Sequence, residues 1–344
     1  MNELLDPLRT ALIGHGVLLP LAVFVALGAA VFVTASRLAH HGDAIAYATG
    51  AGRFWVGTLL LAASTSVPEF VTDINAALLR AVDIGVGDLM GSTLANMLIL
   101  AALDLFYAKR RILDHVADGH VLVGAIAIVL TTFAAVAIGV GGFGRIGHVG
   151  VETIVIVIGY ALGMRVVHDR SRADLPPPPE GVAPAHAGAL RRAALGFGGT
   201  VVVLWLLAPL VVIAADAVAH EAGLSQTLIG TLLVGFTTSF PEIAATIAAV
   251  RMGAIDMAVG NIFGSNAFNM TILLAMDLAY TPGPVLADVS PAAVLAAQFA
   301  VVALALGIVG IQARSGGRYG LLRIESLLIL ATYAAGAVVL ARAG

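Results

Sequence analysis

The chain has no cysteine among its 344 residues. That excludes disulfides and thiolate metal sites and leaves the redox compartment open. Charged residues are scarce at 11% and aromatics make up only 6%, where soluble domains carry about 25% charge. The net charge is −3, so no basic surplus argues for nucleic acid. None of the nine histidines lies in an H-E-x-x-H pattern, and no apolar run offers a nucleophile–base pair, so an intramembrane hydrolase is disfavoured and no enzyme is expected. No signal peptide is expected either, because the first apolar run begins near Gly16 and is too long for one.

What is abundant is apolar: 60% of residues, with a mean hydropathy of +1.00. Ten runs of membrane-spanning length follow one another, at about 17–37, 54–79, 83–107, 119–140, 147–167, 194–219, 226–251, 255–280, 289–311 and 320–341. Between the fifth and sixth lies a polar connector, 168–192, with Pro176-Pro177-Pro178-Pro179 at its centre. It divides the chain into a first half, 1–167, and a second half, 193–344. The 39 glycines suit close helix approach in lipid. With the N-terminus outside, the inner ends collect fourteen Lys and Arg residues and the outer ends four: Arg9, Arg80, Arg145 and Arg342. That bias predicts both termini outside and the connector in the cytoplasm.

The two halves repeat one another. Thr58–Leu105 aligns on Thr231–Leu278 without a gap, with 22 identities in 48 positions. Within them Ser64-Thr65-Ser66-Val67-Pro68-Glu69 matches Thr237-Thr238-Ser239-Phe240-Pro241-Glu242, and the offset is 242 − 69 = 173. Gly91-Ser92-Thr93-Leu94-Ala95-Asn96 matches Gly264-Ser265-Asn266-Ala267-Phe268-Asn269, again at 269 − 96 = 173. Five spans per half force the second repeat into the membrane from the opposite side. The expected architecture is therefore all-α and integral to the membrane, with ten transmembrane helices as two inverted five-helix repeats.

Opposed repeats bring Glu69 and Glu242 toward one point at the bilayer midplane, where a carboxylate costs roughly 2.5–3.5 kcal/mol on insertion scales. Proline beside each glutamate interrupts the helix and frees backbone carbonyls. The preceding Thr and Ser hydroxyls lie one turn away, and Asn96 and Asn269 follow Ser92 and Ser265 by one turn. All are hard oxygen donors, which favour Na⁺, Ca²⁺ or Mg²⁺ over Zn, Cu or Fe. Ca²⁺ ranks first because it accepts about 6–8 oxygens in flexible geometry, whereas Mg²⁺ demands a tight octahedron. Two negative charges must be compensated in every state that crosses the membrane, which favours exchange over a passive channel.

The paired T-S-x-P-E and G-S-x-x-x-N segments resemble the α-repeats of the calcium/cation antiporter superfamily, particularly the prokaryotic sodium/calcium exchangers. The resemblance implies exchange of Ca²⁺ for Na⁺ by alternating access. It implies ion ligands from Thr65, Ser66, Glu69, Ser92 and Asn96 and from Thr238, Ser239, Glu242, Ser265 and Asn269, with backbone carbonyls near Ala62 and Gly235 completing the shell. Some exchangers of the family have Asp at the position of Asn269, and Asp88 replaces an asparagine usual in the family and kept here as Asn261. Asp73 stands one turn beyond Glu69 where the second repeat has Thr246, so Asp73 and Asp88 are further candidates for holding Na⁺ or a proton. Three Na⁺ against one Ca²⁺ would carry net charge. Cation/proton exchange (Ca²⁺ or Mg²⁺ for H⁺) is the alternative, and K⁺-linked exchange a third.

The remaining duplicated acids have plainer readings. Asp83 and Asp256 suit helix N-termini; Asp104 and Asp277 near span ends suit interfacial solvation. Gly139–Gly144 matches G-x-G-x-x-G but reads as a glycine-rich turn, with no strand before it. His40, His41 and His120 sit at span ends. The expected setting is the inner cell membrane. Lipid and inorganic cations are the expected partners, with no nucleic acid and no cofactor; the oligomeric state is left open, monomer included.

Overall fold

The computed structural model describes residues 10–106, 112–173, 187–222, 235–313 and 324–343. The helices are α1 (Leu18–Thr49), α2 (Gly52–Thr65), α3 (Val67–Leu78), α4 (Val82–Phe106), α5 (Gly119–Val140) and α6 (Val151–Ala173). They continue with α7 (Ala187–Glu221), α8 (Gly235–Thr238), α9 (Phe240–Arg251), α10 (Ile255–Ala279), α11 (Ala292–Gln312) and α12 (Ile324–Ala343). A two-residue antiparallel pair, β1 (Arg145–Ile146) and β2 (Val149–Gly150), joins α5 to α6. Helix α5 ends at Gly141, whose φ of 75° reverses the chain. The glycine run 139–144 is thus a helix end and turn, as its composition implies.

Among the described residues, seven helices are long and apolar enough to cross a bilayer, and α2 with α3, bent by 42°, counts as an eighth where the pair is taken as one span. Helix α12 contributes a shorter apolar stretch, Ile324–Leu340. The protein is an all-helical, multi-pass membrane protein. Residues 226–234 of the expected seventh span lie outside the described residues, as do Pro176–Pro179, Lys109, Arg110, Arg111, Arg314, Arg318 and Arg323. Three helices outrun their expected spans, α6 running past 167 to Ala173. The apolar run of α1 closes near Arg37, yet Leu38, Ala39, Gly42 and Ala46 are all buried, so packing carries the helix on to Thr49. Likewise α7 begins at Ala187 rather than near 194.

The repeat seen in sequence recurs element by element. Adding 173 to the first residues of α3, α4, α5 and α6 gives those of α9, α10, α11 and α12: 240, 255, 292 and 324. Even an irregular backbone position is shared. Arg80, the one non-glycine residue with positive φ among those described, sits at 60°, and its counterpart Gly253 at 71°. Large apolar side chains on α1 and α7 point outward, Leu18 at 78% and Leu206 at 59% exposure. In a bilayer that surface meets lipid chains rather than water.

Helix α10 runs through the interior, and its contact with α2 is unusually close. Residues Val56–Leu61 of α2 form a π-turn that lies on α10. A Cβ on Gly57 would stand 2.5 Å from the Met257 carbonyl oxygen, and one on Gly260 would stand 3.0 Å from the Thr58 amide nitrogen. A Cβ on Gly264 would collide with the Thr58 carbonyl oxygen, again backbone. Glycines spaced by four thus let two backbones touch, the small-residue packing used between membrane helices.

This contact generates a prediction. Gly264→Ala should lower the melting temperature of the purified protein in detergent, because neither backbone can yield; overpacking of this kind costs roughly 1–3 kcal/mol. Gly199→Ala on α7, where an added Cβ meets nothing within 4 Å, should leave melting unchanged or raise it slightly. Equal melting of both variants would contradict the packing described.

Candidate functional site

Both halves break a helix at the same place. Helix α2 ends at Thr65, Ser66 takes φ −80° and ψ 9°, and α3 starts with Pro68 in its first turn. In the second half Ser239 takes φ −79° and ψ 6°, and Pro241 occupies the first turn of α9. Proline has no N–H to continue the ladder, so the break follows from the sequence. It places Glu69 and Glu242 in the first turns of new helices, where exposed N–H groups favour a carboxylate.

The two breaks meet in the interior against α4 and α10. Glu69 Oε1 accepts a hydrogen bond from Ser92 Oγ at 3.1 Å, and Glu242 Oε1 accepts one from Ser66 Oγ of the other half at 3.4 Å. The other oxygen of each glutamate has no hydrogen-bond donor among the described residues. The two carboxylates are near enough to repel each other. Hydroxyls bridge the halves twice more: Thr65 Oγ1 lies 3.5 Å from Ser265 Oγ, and Ser239 Oγ lies 3.4 Å from Ser92 Oγ. Ser265 Oγ also donates to the Ala62 carbonyl at 3.4 Å. Thr65, Ser66, Glu69, Ser92, Asn96, Ser239, Glu242, Ser265 and Asn269 are 0% exposed and Thr238 is 1% exposed. Gly235 opens α8 directly before this cluster.

The asparagines are placed less uniformly. Asn96 donates through Nδ2 to Asn266 Oδ1 at 2.9 Å, leaving its own Oδ1 without a donor; neither amide atom of Asn269 has a partner among the described residues. Asn266 is a buried amide at this centre that sequence reasoning passed over. Its equivalent in the first repeat is Thr93, which bonds its own helix at Leu89 O. The signal was available, since Asn266 sits inside the repeated Gly-Ser motif. Asn261 is a second addition: its Oδ1 accepts from Thr65 Oγ1 at 3.2 Å and its Nδ2 donates to Thr246 Oγ1 at 3.1 Å. Asp88, its counterpart, accepts from Thr238 Oγ1 at 3.2 Å. Asp73 is fully buried.

The other duplicated acids serve the scaffold. Asp104 and Asp277 are not solvated, as the sequence suggested, but 0% exposed. Asp104 accepts from the backbone N–H of Ile112 at 2.9 Å and from Ser326 Oγ at 2.9 Å. Asp277 accepts from Val285 N at 2.7 Å, Gly150 N at 2.7 Å and Thr153 Oγ1 at 2.6 Å. The correspondence is close, since 285 − 112 = 173 and 326 − 153 = 173. Asp83 accepts from Ser290 N and Asp256 from Ala117 N, and 290 − 117 = 173. These acids cap loops, and each of the four reaches across to the other half. His120 is buried beneath Phe54, ring centroids 4.7 Å apart, with Nε2 at 3.2 Å from Asp256.

Residues 19–164 and 192–341 match the family model described as sodium/calcium exchanger protein. The chain belongs to that family. It is 26% identical over 264 residues to inner membrane protein YrbG of Escherichia coli (strain K12), covering 74% of this chain and 78% of that one. It is 25% identical over 326 residues to the putative antiporter CaxA of Alkalimonas amylolytica, covering 90% and 95%. It shares its fold with the solved sodium-calcium exchanger NCX_Mj soaked with Na⁺ and Sr²⁺: TM-score 0.71, 21% identity, 94% of this chain and 99% of that one covered. The protein is thus a multi-pass membrane antiporter of the calcium/cation class, handling inorganic cations.

A stability ranking follows from the capping acids. Asp277→Ala leaves the N–H groups of Val285 and Gly150 without this acceptor, at about 1–3 kcal/mol per buried group, while the Thr153 hydroxyl keeps the Gly150 carbonyl at 3.0 Å; Ser326→Ala removes one donor at roughly 1 kcal/mol. Thermal unfolding in detergent should rank Asp277→Ala well below Ser326→Ala, and Ser326→Ala slightly below the parent. The reverse order would remove Asp277 from its capping role.

Proposed function

We propose that the protein exchanges Ca²⁺ for Na⁺ by alternating access at a single midplane site built around Glu69 and Glu242. The observation that carries this reading is the pair itself. Two carboxylates, one from each half, lie at 0% exposure, each with an oxygen that no described donor satisfies. Charges held so deep need a cation, because removing them from water costs several kcal/mol apiece and their mutual repulsion adds to it. In this reading Thr65, Ser66, Ser92, Asn96, Thr238, Ser239, Ser265 and Asn269 supply neutral oxygens, with the carbonyls of Ala62 and Gly235. Ca²⁺ neutralises both glutamates at once, and Na⁺ ions replace it on the return step. A site closed from both faces has to open to each in turn, which requires movement of one set of helices against the other. Induced binding-site occlusion is described for NCX_Mj, the solved exchanger of the same fold.

The proposed frame is ten spans as two inverted five-span halves, 1–167 and 193–344, with repeats 58–105 and 231–278, joined by a cytoplasmic connector at 168–192. The 173-residue offset of helix starts and of capping hydrogen bonds supports the duplication. Inversion follows from the odd number of spans per half, and the Lys and Arg distribution sets both termini outside.

Two experiments test these readings. In sealed proteoliposomes, Glu69→Gln or Glu242→Gln should reduce Na⁺-driven Ca²⁺ uptake by about two orders of magnitude or more while the protein stays folded, since a lone carboxylate no longer balances a divalent ion. Parental rates in either variant would sink the site. For orientation, Ala51→Cys should react with an impermeant maleimide only from the cytoplasmic side and Ile146→Cys only from outside. Labelling in the opposite sense would invert the topology.

A further inference from the structure

The correspondence between the halves fails at a buried contact between the third and fourth helices. In the second half, Asn261 Nδ2 donates to Thr246 Oγ1 at 3.1 Å and joins α9 to α10. The equivalent contact between α3 and α4, at 261 − 173 = 88 and 246 − 173 = 73, sets the carboxyl of Asp88 against that of Asp73. Asp73 is 0% exposed, and neither of its oxygens receives a hydrogen bond among the described residues. Asp88 is 6% exposed; Thr238 donates to its Oδ1 at 3.2 Å and no described donor reaches its Oδ2. Glu69 adds a third negative charge nearby. No Lys, Arg or His among the described residues forms an ion pair with either aspartate. The helices also meet closely here: a Cβ on Gly85 would stand 3.5 Å from the Asp73 Cα.

A hydroxyl and an amide satisfy each other in such a place; two ionised carboxylates cannot, and need a shared proton or a cation between them. Their charge is surplus to the glutamate pair, which Ca²⁺ already balances. We infer that Asp73, Asp88 and the Thr238 hydroxyl form a subsite for a monovalent cation, Na⁺, alongside the Glu69–Glu242 centre. The inference rests on the exchange reading above and deepens it. The two carboxylates and the hydroxyl offer at most five oxygens, fewer than the ~6–8 of a Ca²⁺ shell, and the Ca²⁺ of the exchange reading is already held at the glutamate pair, so the cation assigned here is Na⁺. Thr238 is shared by both sites, so loading one is felt at the other. The second half, with Asn261 and Thr246 already neutralised by their own hydrogen bond, has no such subsite.

The test exploits the duplication. Asp73→Thr with Asp88→Asn installs the neutral pair that the second half already folds around. In proteoliposomes, the Na⁺:Ca²⁺ coupling ratio is read from the reversal potential at fixed gradients. The double variant should still exchange Ca²⁺ with a coupling ratio lower by about one Na⁺ and a shallower Na⁺ dependence, as loss of one bound cation requires. An unchanged ratio would overturn the inference. So would a proton flux in the parent that vanishes in the variant while the Na⁺ ratio holds, because the pair would then carry a proton. A binding measurement covers a variant that does not transport. In the purified Glu69→Gln/Glu242→Gln protein, Na⁺ against K⁺ at equal ionic strength should still raise the melting temperature. Adding Asp73→Thr/Asp88→Asn should abolish that rise. No Na⁺ effect in the glutamine protein overturns the subsite, whereas normal Ca²⁺ exchange by the glutamine protein overturns the glutamate site alone.

Discussion

A carboxylate can lie at the centre of a membrane protein only if something answers its charge, and the arrangement of this chain follows from meeting that condition twice. Each half breaks a helix with Ser-x-Pro-Glu, so that Glu69 and Glu242 stand in the first turns of α3 and α9. The N–H groups there relieve part of the cost. Hydroxyls of Ser92 and Ser66 relieve a little more. What remains unanswered is one oxygen on each glutamate and their mutual repulsion, and that remainder is what the proposed cations meet.

The other buried acids show how the same residue type is made inert. Asp104 and Asp277 are as deeply buried as the glutamates, yet each is surrounded by donors from loop backbone and from a hydroxyl of the opposite half. A carboxylate accepting two or three short hydrogen bonds is a structural anchor, with nothing left to offer a transported ion. Burial therefore does not separate the two roles; hydrogen-bond satisfaction does. By that measure Asp73 groups with the glutamates rather than with the anchors.

Close approach of backbones holds the broken helices in place. The π-turn at Val56–Leu61 rests on α10 through Gly57, Gly260 and Gly264, which brings the Ala62 carbonyl within 3.4 Å of Ser265 Oγ. Side chains at those three positions would push the first helix break away from the second half, and the hydroxyl bridges between Thr65 and Ser265 would part. Packing in lipid gains little from hydrophobicity alone, so contact between small residues carries a large share of the adhesion.

Much of this was legible in the sequence, because period, length and duplication are properties of the chain itself. A run of apolar residues states that a helix crosses lipid, the repeated Ser-x-Pro-Glu marks where one breaks, and a constant offset of 173 states that one unit occurs twice. The helix starts repeat that offset in three dimensions. The sequence did not disclose the length of α1 and α7, since burial of Leu38, Ala39 and Ala46 against neighbours carries α1 beyond its apolar run. Nor did it separate Asp104 and Asp277 from interfacial acids, because their donors, Ser326 and Thr153, come from the other half. Asn266 and Asn261 joined the centre for the same reason: their partners are Asn96 and Thr65, far away in the chain. Local sequence determined which groups are polar, where the helices break and that the unit is doubled. Which of the buried acids is satisfied and which is left bare was decided only by the packing of one half on the other, since a hydrogen bond between residues about 200 positions apart has no local signature.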